Sequence, residues 1–331
     1  MKGDKKKEIK IAFVDFGGNP EGIIRYFSNI LGKHYRVVLS DKPDYLFYSV
    51  FGNTHHDYEC VKICFTGENV VPNFNYCDYA LGFHYISFED RYMRLPLWCL
   101  YGDDLNKTVR HKMSAPQTVL NRRFCAQVVS NAKITDGMRE AFFERLNVYK
   151  PVDSGGRYRN NVGGPVKNKE AFLKKYKFSL AFENTSAHGY CTEKLLQAYA
   201  YGTVPIYYGD ETAVRDFNPK AFINVHDFKT LDDAVAFVEK MDKDDKAYLK
   251  MYQEPLFKNG RVPSQYSADN VAKFLDHIFS KPLDKARFQN NVRYFADIDC
   301  THMKKRDVKV AVKEYLKRTV KKWFTKKRRQ H

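Results

Sequence analysis

The chain has 331 residues, 44% of them hydrophobic, and a formal net charge of +17. It exceeds one ordinary domain and has apolar residues enough for two cores. No apolar stretch reaches membrane-spanning length, and the lysine-rich start runs into an apolar segment interrupted by Asp15 with no cleavage site after it, so neither a spanning anchor nor secretion is expected. Seven cysteines form an odd set without a CxxC pair, which argues for reduced, buried thiols. The His55-His56 pair before Cys60 and Cys64 matches no usual zinc spacing.

In chain order, Ile9–Phe16 reads as a strand, Gly17-Gly18-Asn19 as a turn, and Pro20–Leu31 as a helix opened by proline. The glycine pair is not a dinucleotide fingerprint. Tyr35–Leu39, Tyr45–Val50, Val61–Phe65 and Tyr79–Phe83 supply four more short apolar runs with few helices between them. This first sheet is therefore expected to be less regularly wound than a Rossmann domain. Glu68, in Thr66-Gly67-Glu68-Asn69, directly follows one of these strands, where an acid either faces a cleft or caps a turn. The segment from Phe83 to Trp98 mixes aromatic and charged residues, a combination that suits a sugar or an ordinary half-buried loop. Leu100–Gln117 is polar and reads as a mobile loop bordering the cleft. Phe124–Ser130 is a strand and Gly137–Tyr149 a helix. Arg139 sits in that helix's first turn, where a cation is disfavoured unless an anion lies nearby. The Gly- and Pro-containing stretch Lys150–Lys167 is the expected interdomain linker, and Asn168–Tyr176 a helix leading out of it.

Lys177–Asp210 organises the rest. Phe178–Phe182 is a short aromatic strand, Glu183–Cys191 a polar loop, Thr192 an N-cap, and Leu195, Leu196 and Tyr199 one helical face; Val204–Tyr208 follows as a strand. In such a unit the crevice beyond the first strand meets the helix N-terminus, whose free N–H groups favour an anion. Lys194, in the first helical turn, is again a cation at the unfavourable end, and a bound phosphate would reverse the penalty. Glu183, Asn184, His188, Tyr190 and Glu193 crowd the same loop. A capped surface helix with solvated charges is the competing reading.

The block FENTSAHGYCTEK, followed by Ala-Tyr-Gly-Thr-Val-Pro-Ile-Tyr-Tyr-Gly, resembles the donor-binding signature of the α-1,3/α-1,4-fucosyltransferases, bacterial members in particular, over about Phe65 to Phe257. The resemblance implies an α/β chain of two Rossmann-like domains facing a central cleft, the type B glycosyltransferase architecture. It sets an N-terminal acceptor-binding domain at 1–150, a C-terminal GDP-fucose-binding domain at 151–300 and a basic amphipathic tail at 301–331. It also implies an inverting transfer of L-fucose from GDP-β-L-fucose to the N-acetylglucosamine of a lactosamine-type (Lewis-type) glycan, such as those of lipopolysaccharide or protein glycosylation.

Mapped motif onto motif, Arg139 and Lys194 resemble a phosphate-neutralising pair, with Asn184, Tyr190 and Glu193 as contacts to the phosphates or fucose and Glu193 also facing the oxocarbenium-like charge. These side chains stand in for a metal, so no cofactor is implied. The general base is where the likeness breaks. Bacterial relatives carry it as Glu in a stretch matched here by Phe83–Phe88, and Tyr85 occupies that position. A phenol of ordinary pKa is a poor base near neutrality. Vertebrate relatives place the base in a segment that resembles Thr66-Gly67-Glu68-Asn69, so Glu68 is the preferred base, with His84, Glu89 and Asp90 as substitutes. The alternative is that Tyr85 marks a changed acceptor or reduced activity.

The tail from Arg306 places Val308, Val312, Tyr315, Leu316, Thr319, Val320 and Trp323 at helical spacing among lysines and arginines. Residues 301–331 hold 13 Lys/Arg against Asp307 and Glu314, and so carry +11 of the +17. A basic amphipathic helix suits an anionic membrane surface, with nucleic acid or plain solvation as competing readings. The resemblance to bacterial fucosyltransferases, whose basic C-terminal tail is thought to serve membrane association, implies peripheral association of residues 306–331 with the cytoplasmic face of the inner membrane. A nucleic-acid-binding protein drawn by the same charge, and a glycosyltransferase using another nucleotide sugar, are the competing functions.

Overall fold

The computed structural model describes residues 6–109, 115–130 and 135–288; the basic tail at 301–331 lies outside them. Among the described residues eleven strands form two sheets. The first contains β1 (Glu8–Val14), β2 (Arg36–Leu39), β3 (Tyr45–Tyr48), β4 (Val61–Phe65), β5 (Tyr79–Gly82) and β6 (Tyr92–Arg94), in the order β2-β1-β3-β4-β5-β6. The second contains β7 (Arg123–Gln127), β8 (Val152–Ser154), β9 (Tyr176–Phe182), β10 (Val204–Tyr208) and β11 (Ile223–Asn224), in the order β11-β10-β9-β7-β8. Every pairing is parallel. All residues of β9 are buried, as a central parallel strand covered on both faces requires. Two Rossmann-like lobes result, as expected.

Both sheets reverse strand order beside their first strand, between β1 and β3 and between β7 and β9. In open α/β sheets ligands bind at such reversals, beyond the strands' C-terminal ends. The change of sheet falls between Arg94 and Arg123, not at the expected boundary of 150–151. The Gly-rich stretch from Lys150 is no linker between the sheets, because β8 within it pairs with β7.

Ten α-helices are present among the described residues. They are α1 (Glu21–Leu31), α2 (Gly102–Val109), α3 (Pro116–Leu120), α4 (Met138–Tyr149), α5 (Lys169–Leu173), α6 (Glu193–Ala200), α7 (Leu231–Lys243), α8 (Asp245–Gln253), α9 (Ala268–Phe279) and α10 (Leu283–Ala286). Part of the expected loop at Leu100–Gln117 is helical, since α2 docks on α6; residues 110–114 lie outside the described residues. Helix α9, capped by Ser267, returns to the first lobe: Phe279 packs on Tyr35 and Tyr45 at 5.5 and 4.3 Å between ring centres. Trp98, fully buried, lies against Phe217, Phe257 and Tyr266, so one apolar cluster joins the two lobes. Burial of this kind contributes roughly 25 cal/mol per Å² of apolar surface. The six described cysteines are buried and unpaired.

Candidate functional site

A cavity of about 390 Å³ opens at the strand reversal of the second lobe, lined by Val128–Ser130 beyond β7, Phe182 and Asn184 at the end of β9, Arg139, Lys169, Glu193 and Lys194. Arg139 is 2% exposed. Its Nη2 donates to the carbonyls of Phe182 and Glu183 at 3.0 and 3.1 Å and to Asn184 Oδ1 at 2.9 Å. Its Nε and Nη1 have no hydrogen-bond partner among the described residues. A buried guanidinium with two of its nitrogens unused carries an uncompensated desolvation cost, which an anion in the cavity would offset.

Lys194 shares the cavity but differs in support. Its Nζ lies 2.7 Å from Glu183 Oε2 and donates to Thr192 Oγ1 at 2.8 Å. Glu183, 1% exposed, also accepts from the Thr192 backbone N–H at 2.7 Å and from its hydroxyl at 2.8 and 2.9 Å. The Thr192 hydroxyl, at the N-cap position, therefore makes no cap to α6. The leading end of α6 thus lacks a cap from that hydroxyl, and helix N-termini favour anions. Burial pulls the Lys194 ammonium down, but Glu183 and Glu193 outweigh it and hold the lysine charged. Glu193 is opposed by burial too, yet Lys194 and Lys169 bring its carboxyl below the ordinary value.

The loop between β9 and α6 is fixed by close backbone approach. Gly189 has φ +84°, and a Cβ there would sit 2.2 Å from the carbonyl oxygen of Phe83 in the first lobe. Its N–H donates to the buried Asp210 at 2.7 Å. Only glycine meets both demands. Tyr190 follows, 2% exposed, its ring 4.8 Å from that of Phe83. Burial and Glu183 push its phenol well above the ordinary range, so it acts as a neutral hydroxyl.

The second cavity, about 840 Å³, lies beyond β1, β3 and β4 at the reversal of the first sheet. Phe16, Tyr26, Phe51, Leu97 and Tyr101 give it apolar walls, while Asn19, Glu68, Asp103, Asp104 and Lys107 supply polar edges. The two cavities approach each other at Tyr101. Burial raises its phenol to about 12, with Glu193 of the other cavity adding to the effect. Glu68 is exposed on the rim, its N–H held by Thr66 Oγ1 at 3.0 Å, and neighbouring Asn69 donates to Thr185 of the second lobe at 2.9 Å.

The other candidate bases are placed differently. Tyr85 is stacked between Arg94 and Arg215, at 4.0 and 4.7 Å from its ring centre, and burial raises its phenol. Arg94 also pairs with Asp216 at 2.9 Å and donates to Phe83 O at 2.7 Å, so Tyr85 is a rivet between lobes. His84 is half-buried, and burial and Arg94 lower its pKa, which keeps the ring neutral; its Nδ1 has no partner among the described residues. Glu89 is exposed at φ +47° in a turn and lines neither cavity. Asp90 is engaged by His277 and Lys281 at 2.6 and 2.8 Å. His188, also exposed, contacts Glu211.

Sequence reasoning missed Lys169. Its position among several lysines just before β9 resembles a solvated helix face, and only its placement against the cavity distinguishes it.

Residues 11–101 match the family model of the N-terminal domain of alpha-(1,3)-fucosyltransferase FucT, and residues 120–258 match that of the C-terminal region of glycosyltransferase family 10 (fucosyltransferase). The chain is 37% identical over 295 residues to the alpha-(1,3)-fucosyltransferase FucT of Helicobacter pylori, a match covering 75% of this chain and 60% of that protein. It thus spans less than two thirds of that relative's length. A crystal structure of an alpha1,3-fucosyltransferase superposes with a TM-score of 0.74 at 33% identity, over 85% of this chain and 92% of that one. An alpha1,3-fucosyltransferase crystallised with GDP-fucose gives 0.71 at 32% identity, over 89% and 94%. The two cavities at the strand reversals, the signature loop between β9 and α6 and these matches agree: this chain belongs to the glycosyltransferase family 10 fucosyltransferases.

Proposed function

We propose that this chain transfers L-fucose from GDP-β-L-fucose to the N-acetylglucosamine of a lactosamine-type glycan, in α-1,3 or α-1,4 linkage and with inversion. The observation that carries this reading is Arg139, buried in the second-lobe cavity with Nε and Nη1 unused, beside the cations of Lys169 and Lys194. A diphosphate leaving group asks for such an arrangement. Supporting it is the likeness to an α1,3-fucosyltransferase crystallised with GDP-fucose.

In this reading the diphosphate lies between Arg139, Lys194 and the leading end of α6, and the acceptor occupies the larger first-lobe cavity. Glu68, on the rim of that cavity, takes the proton of the attacking hydroxyl. The bond from fucose C1 to the phosphate oxygen breaks, its electron pair leaving with GDP. Glu193 and the neutral hydroxyl of Tyr190 face the sugar ring as it gains positive charge. The lysines and Arg139 neutralise the leaving group, so the scheme calls for no metal.

No helix among the described residues is long and apolar enough to cross a membrane. The segment 306–331 would hold the enzyme peripherally at the anionic inner face of the cytoplasmic membrane, with no nucleic-acid partner.

The test is donor profiling of the full chain. GDP-fucose and GDP should raise the melting temperature, by mass action, while UDP-sugars leave it unchanged. Fucose should appear on N-acetyllactosamine only with GDP-fucose present. Stabilisation by UDP-glucose in place of GDP-fucose would overturn the reading.

A further inference from the structure

The wall between the two cavities contains one continuous polar line. Lys169 opens α5 under the cap of Asn168, whose Oδ1 accepts from the Ala171 N–H at 2.9 Å. Lys169 lines the second-lobe cavity, and its Nζ donates to Gln197 Oε1 at 2.7 Å. Gln197, on α6 and 9% exposed, donates from Nε2 to Asp104 Oδ2 at 3.0 Å. Asp104 lines the acceptor-side cavity and is itself held by Tyr201 OH at 3.3 Å and Lys107 Nζ at 3.3 Å. Lys107 continues to Glu170, next to Lys169, at 2.6 Å.

The chemistry of the line fixes its direction. An ammonium only donates and a carboxylate only accepts, so the amide of Gln197 has one orientation that satisfies both ends. Asp104 thereby sets the amide, and the amide sets the ammonium. Lys169 has this neutral oxygen as its hydrogen-bonding partner while Glu193 and Lys194 lie nearby. Among partly buried groups such a cation is short of compensation unless an anion joins it.

We propose that Gln197 is a positioning residue for the donor: anchored by Asp104 on the acceptor side, its amide holds Lys169 as a third cation on the diphosphate. This rests on the reading of the smaller cavity as the diphosphate site, so the experiment must separate the two.

Calorimetric affinity for GDP would be measured on the full chain for Lys169→Met, Gln197→Met, their combination, Asp104→Ala, Asp104→Asn and, as a control on the donor reading, Arg139→Lys. Loss of one charge-assisted hydrogen bond corresponds to roughly a 10- to 100-fold loss of affinity. Lys169→Met should show it, Gln197→Met should show a comparable or smaller loss, and the double variant should be no weaker than Lys169→Met alone. Asp104→Ala should weaken GDP as Gln197→Met does. Asp104→Asn, which keeps an acceptor oxygen for the amide, should lose far less. The donor KM should rise in Gln197→Met with kcat changing less. If Gln197→Met lowers the melting temperature but binds GDP like the parent, or if its loss multiplies with that of Lys169→Met, the inference fails. Should Gln197→Met not fold, the contrast between Asp104→Ala and Asp104→Asn decides alone, and equal losses in both overturn it. If Arg139→Lys weakens GDP while Lys169→Met does not, the positioning role falls and the donor site stands. If neither variant affects GDP, the donor reading falls as well.

Discussion

The two cavities occupy equivalent places, each at the reversal of a parallel sheet, yet they are built differently. The second-lobe cavity is small and gathers Arg139, Lys169, Lys194 and Glu193 on an otherwise largely apolar lining, with buried Glu183 holding Lys194. The first-lobe cavity has about twice the volume, aromatic walls and polar groups at its edges. On the proposed reading the second-lobe cavity serves a single ionic group and the first-lobe cavity a ligand that presents faces and hydroxyls. The same fold can supply both because the strand ends fix only where a ligand binds, while the loops fix what it is.

If that division is right, variants at the two sites should fail in different ways. The largest effect is expected at the seam. Glu68→Gln should lower kcat by about 10²- to 10⁴-fold, the usual contribution of a general base, and leave GDP affinity unchanged. Transfer to N-acetyllactosamine near the parent rate would remove Glu68 from the role. Next, Arg139→Lys should reduce kcat/KM for GDP-fucose by about 10²- to 10³-fold, because an ammonium cannot reach the Phe182 and Glu183 carbonyls and the ligand together. Steady-state kinetics with the donor varied measures this directly. A smaller, opposite pattern is expected from Phe51→Ala. Phe51 is a large exposed ring on the acceptor-side wall. Its loss should raise the acceptor KM by about 2- to 10-fold, the worth of one aromatic contact, with the donor KM unmoved. A change in donor KM instead would erase the division between the lobes.

The elements around the second-lobe cavity were legible in the sequence, and those around the first-lobe cavity only in part. The strand, loop, helix and strand of Lys177–Asp210 were readable because short aromatic runs and one Gly-terminated helix allow few alternatives, and the observed β9, α6 and β10 fall within two residues of them. Arg139 and Lys194 stood out as cations at helix N-termini. For Lys194 the physical reason is partly internal, since Glu183, nine residues before the cap, is buried against it. Helix α2 was hidden: Gly102, Asp103, Asp104 and Asn106 favour turns, and what holds them helical is packing on α6 and the Asp104–Gln197 contact, which local sequence does not encode. The return of α9 to the first lobe was equally unreadable, because an amphipathic helix declares that it covers a sheet and not which one.

The smallest effect follows from the charge that distinguishes the donor cavity. Burial alone would raise the Glu193 carboxyl, but Lys194 and Lys169 dominate and its pKa lies below the ordinary 4.5. A carboxyl depressed by folding contributes stability that is present above its unfolded value and is lost as pH falls through the lower folded value. Melting temperature should therefore drop on the acid side of about pH 4.5, and Glu193→Gln should flatten that part of the curve. Because the depression is set by two lysines, Lys169→Met should restore part of the carboxyl's ordinary titration and flatten the curve to a lesser degree. Scans with and without GDP sharpen the point. A diphosphate drawing on the same lysines competes with Glu193 for them, so bound GDP should make the acid limb less dependent on residue 193. An acid limb identical in parent and Glu193→Gln would mean that the ionic set around the donor cavity contributes nothing through this residue.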